Sequence, residues 1–158
     1  MLNQLTAAPV AKAEMLIRRP VDEVFEALVE PSITSKFWFT RGSGRLEPHK
    51  VVTWEWAMYD LSIRVTVKAV EPNRRILIEW PGYGGPTTVE WRFVPRPDGT
   101  LVTVTNSGFS GDARAMATQA MDSTEGFALV LAGLKALLEH NIQLNLVRDR
   151  HPDGLQSH

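Results

Sequence analysis

The succession of strand-like and helix-like segments constrains this chain more than any other feature. Between residues 50 and 109, apolar and polar residues alternate in short runs, which predicts the strands of an antiparallel sheet. From residue 122 to about residue 147, apolar residues instead recur at helical spacing, which predicts one long amphipathic helix. This succession predicts an α+β fold in which a curved antiparallel sheet packs around a C-terminal helix, usually over a cavity.

The alternation also predicts which strand residues face the helix. Turn and loop residues separate five predicted strands, at residues 50–56, 61–69, 75–80, 88–94 and 101–109. One face of these strands is charged, which indicates contact with water. The other face is apolar and is predicted to form the core, with the inward side chains Val52, Trp54, Trp56, Leu61, Ile63, Val65, Val67, Ala69, Ile76, Ile78, Trp80, Val89, Trp91 and Phe93.

The N-terminal part of the chain is predicted to hold one further strand and two helices. The strand lies within residues 10–19, and Pro20 suits the first turn of the following helix because its φ is fixed. Pro31 interrupts that helix, and residues 31–36 are predicted to form a short second one. Four aromatic residues are predicted to line the entrance of the cavity or to form a dimer contact: Phe37, Trp38, Phe39 and Phe109.

The predicted final helix has a cap and contains two glycines. Asp122 or Ser123 can cap its N-terminus, whereas residues 111–119 fit either a short helix or a loop. Gly126 and Gly133 lie near one edge of the apolar stripe, and glycine inside a helix costs up to about 1 kcal/mol relative to alanine. We therefore expect either a close approach of the helix to a strand or space beneath it.

Composition and charge restrict the class of protein. The 158 residues suffice for one domain, predicted to span residues 10–147 between a leader (1–9) and a frayed polar tail (148–158). The formal net charge of −1 argues against a nucleic-acid partner, and the absence of cysteine excludes disulfides and thiolate chemistry. No apolar run approaches the roughly 18 residues of a membrane span. Because no signal peptide is evident either, we expect a cytoplasmic protein.

Motifs for catalysis, metal binding or phosphate binding are missing from the sequence. His49, His140, His151 and His158 lack ligand spacing with a carboxylate. No Gly-x-Ser-x-Gly elbow is present. The glycines at residues 82–85 lead into a strand rather than a helix, which favours a flexible hairpin loop over a phosphate loop. We therefore predict no catalytic residue, no metal site and no cofactor.

Tryptophans and one asparagine predict a ligand pocket on the inner face of the sheet. Four tryptophans share that face and either fill the core or line a pocket: Trp54, Trp56, Trp80 and Trp91. Asn106 is in phase with the inward residues of the last strand, whereas Asn141 is expected to be exposed. The predicted ligand-binding residues are Trp38, Trp54, Trp56, Ile63, Val65, Ile78, Trp80, Trp91, Asn106, Phe109, Phe127, Val130 and Leu134.

Short motifs along the chain resemble one protein family. They read Pro-x-x-x-Val-Phe-x-Ala-Leu at 20–28, Lys-Phe-Trp at 36–38, Pro-x-Arg-x-Ile at 72–76, Leu-Ile-Glu-Trp at 77–80, Asn-Ser-Gly-Phe at 106–109, Gly-Phe at 126–127 and Leu-Ala-Gly-Leu-Lys-Ala-Leu-Leu-Glu at 131–139. In this order they resemble the bacterial homologues of the activator of heat-shock protein 90 ATPase, over residues 11–147. That family belongs to the START-like, polyketide-cyclase-related (SRPBCC) superfamily. Phe127 stands where the family often has tryptophan.

The resemblance implies a helix-grip fold and three functional hypotheses. The first is binding of a small hydrophobic or amphipathic molecule between the sheet and the C-terminal helix. The second is a cyclase- or dehydratase-like enzyme with Asn106, Tyr59 or Tyr83 as positioning groups, against which stands the lack of an obvious inward Asp, Glu or His. The third is an interaction protein with a chaperone partner. A homodimer is compatible with all three.

Overall fold

One antiparallel sheet of seven strands dominates the computed structural model, which describes residues 7–82 and 84–155. The strands are β1 (Ala11–Ile17), β2 (Arg41–Gly42), β3 (Val51–Trp56), β4 (Leu61–Glu71), β5 (Arg75–Pro81), β6 (Pro86–Arg96) and β7 (Gly99–Ser107). They lie in the order β1-β7-β6-β5-β4-β3-β2 and curl into a half-barrel. The helices are α1 (Val21–Val29), α2 (Pro31–Thr34), α3 (Ala113–His140) and α4 (Leu146–Arg150), with a 3-10 turn at Ala57–Tyr59. This architecture confirms the predicted α+β helix-grip fold.

Alternation along the strands sorts apolar side chains onto the concave face of the sheet. Trp54 and Trp56 of β3 are buried, as predicted, because successive side chains of a strand point to opposite faces. The prediction is wrong at Ala69, because the pairing of β4 with β5 shifts register between Val67 and Ala69. This irregularity packs Val70 against the core in place of Ala69.

Local signals set the two short helices where the sequence predicts them. α1 begins directly after Pro20, and Pro31 begins α2 after the chain has turned at Glu30. The Glu30 carboxylate accepts a hydrogen bond from the Ser32 N–H at 3.3 Å. The buried hydroxyl of Thr34 donates to a carbonyl of α1 at 2.6 Å, which fastens the two helices together.

The aromatic residues after α2 enter the core, so the prediction that Phe37 and Phe39 line the cavity entrance or form an exposed contact is wrong. Phe37, Trp38 and Phe39 are 8%, 7% and 2% exposed. The chain turns inward after α2, and Phe39 stacks on Trp54 with ring centroids 5.0 Å apart. Burial of large aromatic surfaces stabilises this arrangement. Of the three residues, Trp38 alone also reaches the cavity described below.

The C-terminal helix begins nine residues earlier than the sequence predicts. Asp112 is its N-cap, in place of the predicted Asp122 or Ser123, and its carboxylate accepts from the Ala115 N–H at 2.8 Å. Residues 113–118 are exposed except for the half-buried Met116. The first turns of α3 therefore carry no apolar stripe, which is why hydrophobic periodicity did not reveal them.

The residues that follow α3 fold back on it instead of fraying. Asn141 ends the helix in the left-handed conformation at φ 52° and is exposed, as predicted. α4 then returns to α3, where Arg150 pairs with Asp122 at 2.7 Å and with Glu125 at 3.1 Å. The prediction of a frayed tail is thus wrong for residues 148–150, which belong to α4 and are held by the ion pairs of Arg150. Residues 1–6 and 156–158 lie outside the described part of the chain.

α3 is fastened to the edge of the sheet along β1. The Lys135 ammonium donates to the Leu16 carbonyl at 2.8 Å, and the Glu139 carboxylate accepts from the Arg18 N–H at 2.8 Å. An added Cβ at Gly133 would lie 3.4 Å from the Cβ and carbonyl oxygen of Phe37. The helix therefore approaches another segment closely at Gly133, but the prediction that this segment is a strand is wrong, because it is the segment after α2. None of the described helices is long and apolar enough to span a membrane.

Candidate functional site

A cavity of about 450 Å³ lies between the concave face of the sheet and the middle of α3. The sheet contributes residues of β3 to β7, and α3 contributes residues from Gln119 to Val130. The C-terminal half of α3 instead packs along β1. Because the C-terminal half of α3 is held at the sheet edge, the preceding turns of the helix are held over the cavity and cover it.

Aromatic rings form one wall of the cavity. Trp80 stacks on Phe127 with ring centroids 5.8 Å apart and an interplanar angle of 26°. Trp38 meets both rings edge-on, at 6.0 Å from Trp80 and 5.8 Å from Phe127. Trp56 completes the wall, 6.2 Å from Trp38. Because such pairs contribute about 0.5–1.5 kcal/mol beyond their buried area, the contacts hold the wall in shape.

The residues predicted to bind a ligand divide between the cavity wall and the core. Eight line the cavity: Trp38, Trp56, Ile63, Trp80, Asn106, Phe109, Phe127 and Val130. Five lie in the core and do not reach it: Trp54, Val65, Ile78, Trp91 and Leu134. Trp54 and Trp91 pack against the ring of Trp38, at 4.9 and 5.6 Å, and against the wall rings Trp80 and Phe127, at 6.3 and 5.9 Å respectively. The sequence correctly predicted which residues face inward. It did not predict which of them line the cavity and which lie in the core, because that depends on how the ring of Trp38 packs.

A small polar cluster interrupts the apolar lining. Asn106 is 3% exposed, and its amide nitrogen donates to the Thr87 hydroxyl at 3.1 Å and to the Thr88 carbonyl at 2.9 Å. The Ser123 hydroxyl of α3 donates to the Asn106 amide oxygen at 2.8 Å. The cluster therefore joins β6, β7 and α3 at the cavity wall, and Thr87 and Ser123 are lining residues that sequence reasoning missed.

The segment from Val147 to Leu155 closes one side of the cavity, and sequence analysis did not anticipate it. Val147, Arg150, His151 and Leu155 all line the space. The Tyr59 phenol donates a hydrogen bond to the Val147 carbonyl, and its ring meets that of His151 edge-on at 5.9 Å. Burial raises the pKa of Tyr59, which favours the neutral phenol that donates this hydrogen bond.

Arg150 lies across α3 at the position where a glycine leaves room. An added Cβ at Gly126 would lie 3.0 Å from Arg150 Nη1. Arg150 Nε donates to Glu125 at 3.1 Å, and Nη2 donates to the carboxylate and the carbonyl of Asp122 at 2.7 and 3.2 Å. The glycine is thus explained by the docking of the C-terminal segment. The signal that could have revealed it is a helical glycine flanked by carboxylates.

Titratable groups do reach the cavity, contrary to the expectation that no Asp, Glu or His faces inward. Asp122 and His151 belong to its lining, although the Asp122 side chain is 60% exposed and paired with Arg150. Among the described residues, no group of three or more His, Asp or Glu side chains could hold a metal ion. Tyr83, which the enzyme hypothesis invoked, lies outside the described residues, as does His158.

Sequence comparison agrees with this architecture. The model of a family described as "Activator of Hsp90 ATPase homolog 1-like protein" matches residues 18–139, which is more than half of the chain. The chain belongs to this family. The match confirms the resemblance carried by the motifs, and it covers the strands of the cavity wall and the roofing turns of α3. No curated protein matches the chain significantly.

Solved structures share the fold. Protein SSP2350 from Staphylococcus saprophyticus is 30% identical, with a TM-score of 0.74 over 86% of this chain and 96% of that one. DynU16, from the dynemicin biosynthetic locus, is 21% identical with a TM-score of 0.75, over 85% of this chain and 48% of that one. The Aha1 dimer from Colwellia psychrerythraea is 18% identical with a TM-score of 0.71, over 84% and 97%. At such identities, the last two matches show a shared fold.

Proposed function

We propose that this protein binds a small hydrophobic or amphipathic molecule in the cavity between its sheet and α3. The observation that carries the proposal is the cavity itself, about 450 Å³ in volume and walled by Trp38, Trp56, Trp80 and Phe127. Ligand pockets commonly measure about 300–1,000 Å³ and are mostly apolar with few polar groups. The volume falls within that range, and the aromatic wall on the sheet and helix is apolar, with polar groups at the Asn106 cluster and charged groups on the side closed by the C-terminal segment.

Transfer of apolar ligand surface from water to this wall supplies the driving force. Burial is worth about 25 cal/mol per Å² of apolar area removed from water. The wall is held by ring-to-ring contacts on both sheet and helix, so little of this free energy is spent on ordering side chains. The polar cluster at Asn106 gives the ligand a fixed orientation.

A titration with Nile red tests the proposal, because its emission rises in apolar surroundings. We expect saturable binding of one dye per chain. Ile63 lies in the cavity wall, so Ile63→Trp fills the space and should abolish the signal. Val94 lies on the outer face of β6 and is 48% exposed, so Val94→Trp adds the same side chain outside the cavity and should leave binding unchanged.

Two results would contradict the proposal. One is the absence of saturable binding to the folded wild-type protein. The other is equal binding by wild type and a folded Ile63→Trp variant, because the dye would then occupy some other surface. Circular dichroism of both variants establishes that they are folded.

A further inference from the structure

The hydrogen bonds at Asn106 determine which polar groups remain for a ligand. Both hydrogens of the Asn106 amide are used, one by the Thr87 hydroxyl at 3.1 Å and one by the Thr88 carbonyl at 2.9 Å. The amide oxygen accepts from the Ser123 hydroxyl at 2.8 Å. These bonds fix the orientation of the amide, because a flipped amide would direct its oxygen at the Thr88 carbonyl, which can only accept.

The polar groups of this cluster that remain for a ligand are one hydrogen-bond donor and neighbouring acceptor oxygens, and none of them is charged. The Thr87 hydroxyl accepts from Asn106, and its own hydrogen makes no bond to another described residue. The Ser123 oxygen keeps its lone pairs, since its hydrogen is directed to Asn106. Thr87, Asn106 and Ser123 all line the cavity. A ligand carbonyl matches the Thr87 donor, and a ligand hydroxyl matches both the donor and the Ser123 acceptor.

Charge at the cavity opposes an anionic ligand. Among the described lining residues, Arg150 is the one lysine or arginine. It is already shared by two carboxylates, Asp122 at 2.7 Å and Glu125 at 3.1 Å, so this corner carries more negative than positive charge. The Arg150 side chain is 17% exposed, whereas Asp122 and Glu125 are 60% and 64% exposed, so water screens the two carboxylates more than the cation. A ligand carboxylate in the cavity would therefore lose its hydration without gaining an unpaired lysine or arginine among the described lining residues, and burial of an unpaired charge is costly.

We propose that the cavity selects amphipathic molecules with a neutral hydroxyl or carbonyl head, held by Thr87 and Ser123, over molecules of the same length with a carboxylate head. This inference rests on the proposed binding function and names the chemical class of the ligand. The apolar part of the ligand lies against Trp38, Trp80 and Phe127, and the head lies at the polar cluster.

Three probes of equal chain length separate the alternatives: 1-octanol, 2-octanone and octanoate at pH 7.5. Affinities are measured by chemical-shift titration of the backbone amides. We expect the alcohol and the ketone to bind at least tenfold more tightly than octanoate. The loss of one neutral hydrogen bond corresponds to a decrease of about three- to tenfold in affinity.

Variants of the polar cluster make the test specific. Thr87→Val removes the donor and should weaken both neutral probes about three- to tenfold, whereas Ser123→Ala should weaken the alcohol more than the ketone. Thr87→Ser keeps the hydroxyl and should retain wild-type affinity, and the different response of alcohol and ketone in Ser123→Ala keeps the test decisive if Thr87→Val does not fold. Thr105→Val alters the outward face of β7 and should change no affinity.

The outcomes separate the two proposals. Binding of all three probes with equal affinity, or a preference for octanoate, would overturn the head-group inference and leave the binding function standing. Unchanged affinities in Ser123→Ala and in folded Thr87→Val would also overturn it. Failure of every probe and of Nile red to bind the wild type would overturn both proposals.

Discussion

Glu139 holds α3 against the sheet edge, and its removal should loosen the element that roofs the cavity. Its carboxylate accepts from the Arg18 N–H at 2.8 Å and from Lys135 at 2.7 Å, and Lys135 in turn donates to the Leu16 carbonyl. The Glu139 side chain is 10% exposed. Glu139→Gln keeps the shape and an acceptor but removes the charge, so it isolates the electrostatic part of this contact.

The expected loss of stability in Glu139→Gln follows from the two hydrogen bonds that Glu139 accepts. A hydrogen bond to a charged group contributes about 1.5–3 kcal/mol and a neutral one about 0.5–1.5 kcal/mol. In Glu139→Gln, the hydrogen bond from the Arg18 N–H is made to a neutral group instead of a charged one, and the contact with Lys135 is weakened. We expect a decrease of about 1–2 kcal/mol in the free energy of unfolding at pH 7. For a chain of this size the melting temperature should fall by about 2–8 °C.

The stability difference between wild type and Glu139→Gln should decrease as the pH falls. Burial acts to raise the pKa of Glu139, but hydrogen bonds from the Arg18 amide and Lys135 outweigh it, so the pKa is lowered on folding. A lowered pKa contributes stability that is complete above the unfolded-state pKa and is lost as the pH falls through the folded-state pKa. The difference between wild type and Glu139→Gln should therefore be full at pH 7 and shrink toward pH 3.5.

Urea unfolding of both proteins at these two pH values measures the effect. Glu47→Gln is the matched control, because Glu47 is 61% exposed and its ion pair with Lys50 is worth little. A difference at pH 7 no larger than that of the control would refute the reasoning. So would a difference that persists undiminished at pH 3.5.

Three further predictions concern the C-terminal segment, the aromatic wall and the C-terminal end of α3. Gly126→Val should displace Arg150 and increase hydrogen–deuterium exchange of residues 146–150, while exchange in the core strands stays unchanged. Trp38→Ala should lower the free energy of unfolding by about 3–5 kcal/mol in urea, because Trp38 is 7% exposed and packs against rings of both sheet and helix. Asn141→Ala should cost about 1–2 kcal/mol since φ is 52° there, whereas Asn141→Gly should cost less.

Each of these predictions has a contradicting result. Unchanged exchange at residues 146–150 in Gly126→Val would mean that Arg150 does not hold the segment. A loss below about 1 kcal/mol in Trp38→Ala would mean that the ring is not a central packing element. Equal stability of the alanine and glycine variants at Asn141 would exclude strain at this helix end.

The sequence predicted the sheet well because apolar side chains alternate along most of its strands and lie on one face. Alternation alone identified the inward residues of β3, β5 and β6, and it failed at Ala69, where the register shift changes the phase. The buried half of the long helix was visible for the same reason. Its first turns were not, because residues 113–118 bury almost no apolar surface.

The candidate site was less predictable, because tertiary placement decides it. Trp38 packs against rings of both the sheet and α3 and lines the cavity, whereas Trp54 and Trp91 pack against Trp38 and do not line it. The C-terminal wall depends on the pairing of Arg150 with Asp122 and Glu125, a long-range contact with no periodic signal. Burial pattern therefore predicts a face of the sheet, but not which part of that face remains open.

The indole N–H signals of the five tryptophans test the central claim most directly. Three of these residues line the cavity and two lie in the core: Trp38, Trp56 and Trp80 against Trp54 and Trp91. Titration of ¹⁵N-labelled protein with 1-octanol should shift the signals of the first three saturably, with much smaller shifts for the other two. Saturable binding that leaves the signals of Trp38, Trp56 and Trp80 unmoved would contradict a ligand in this cavity.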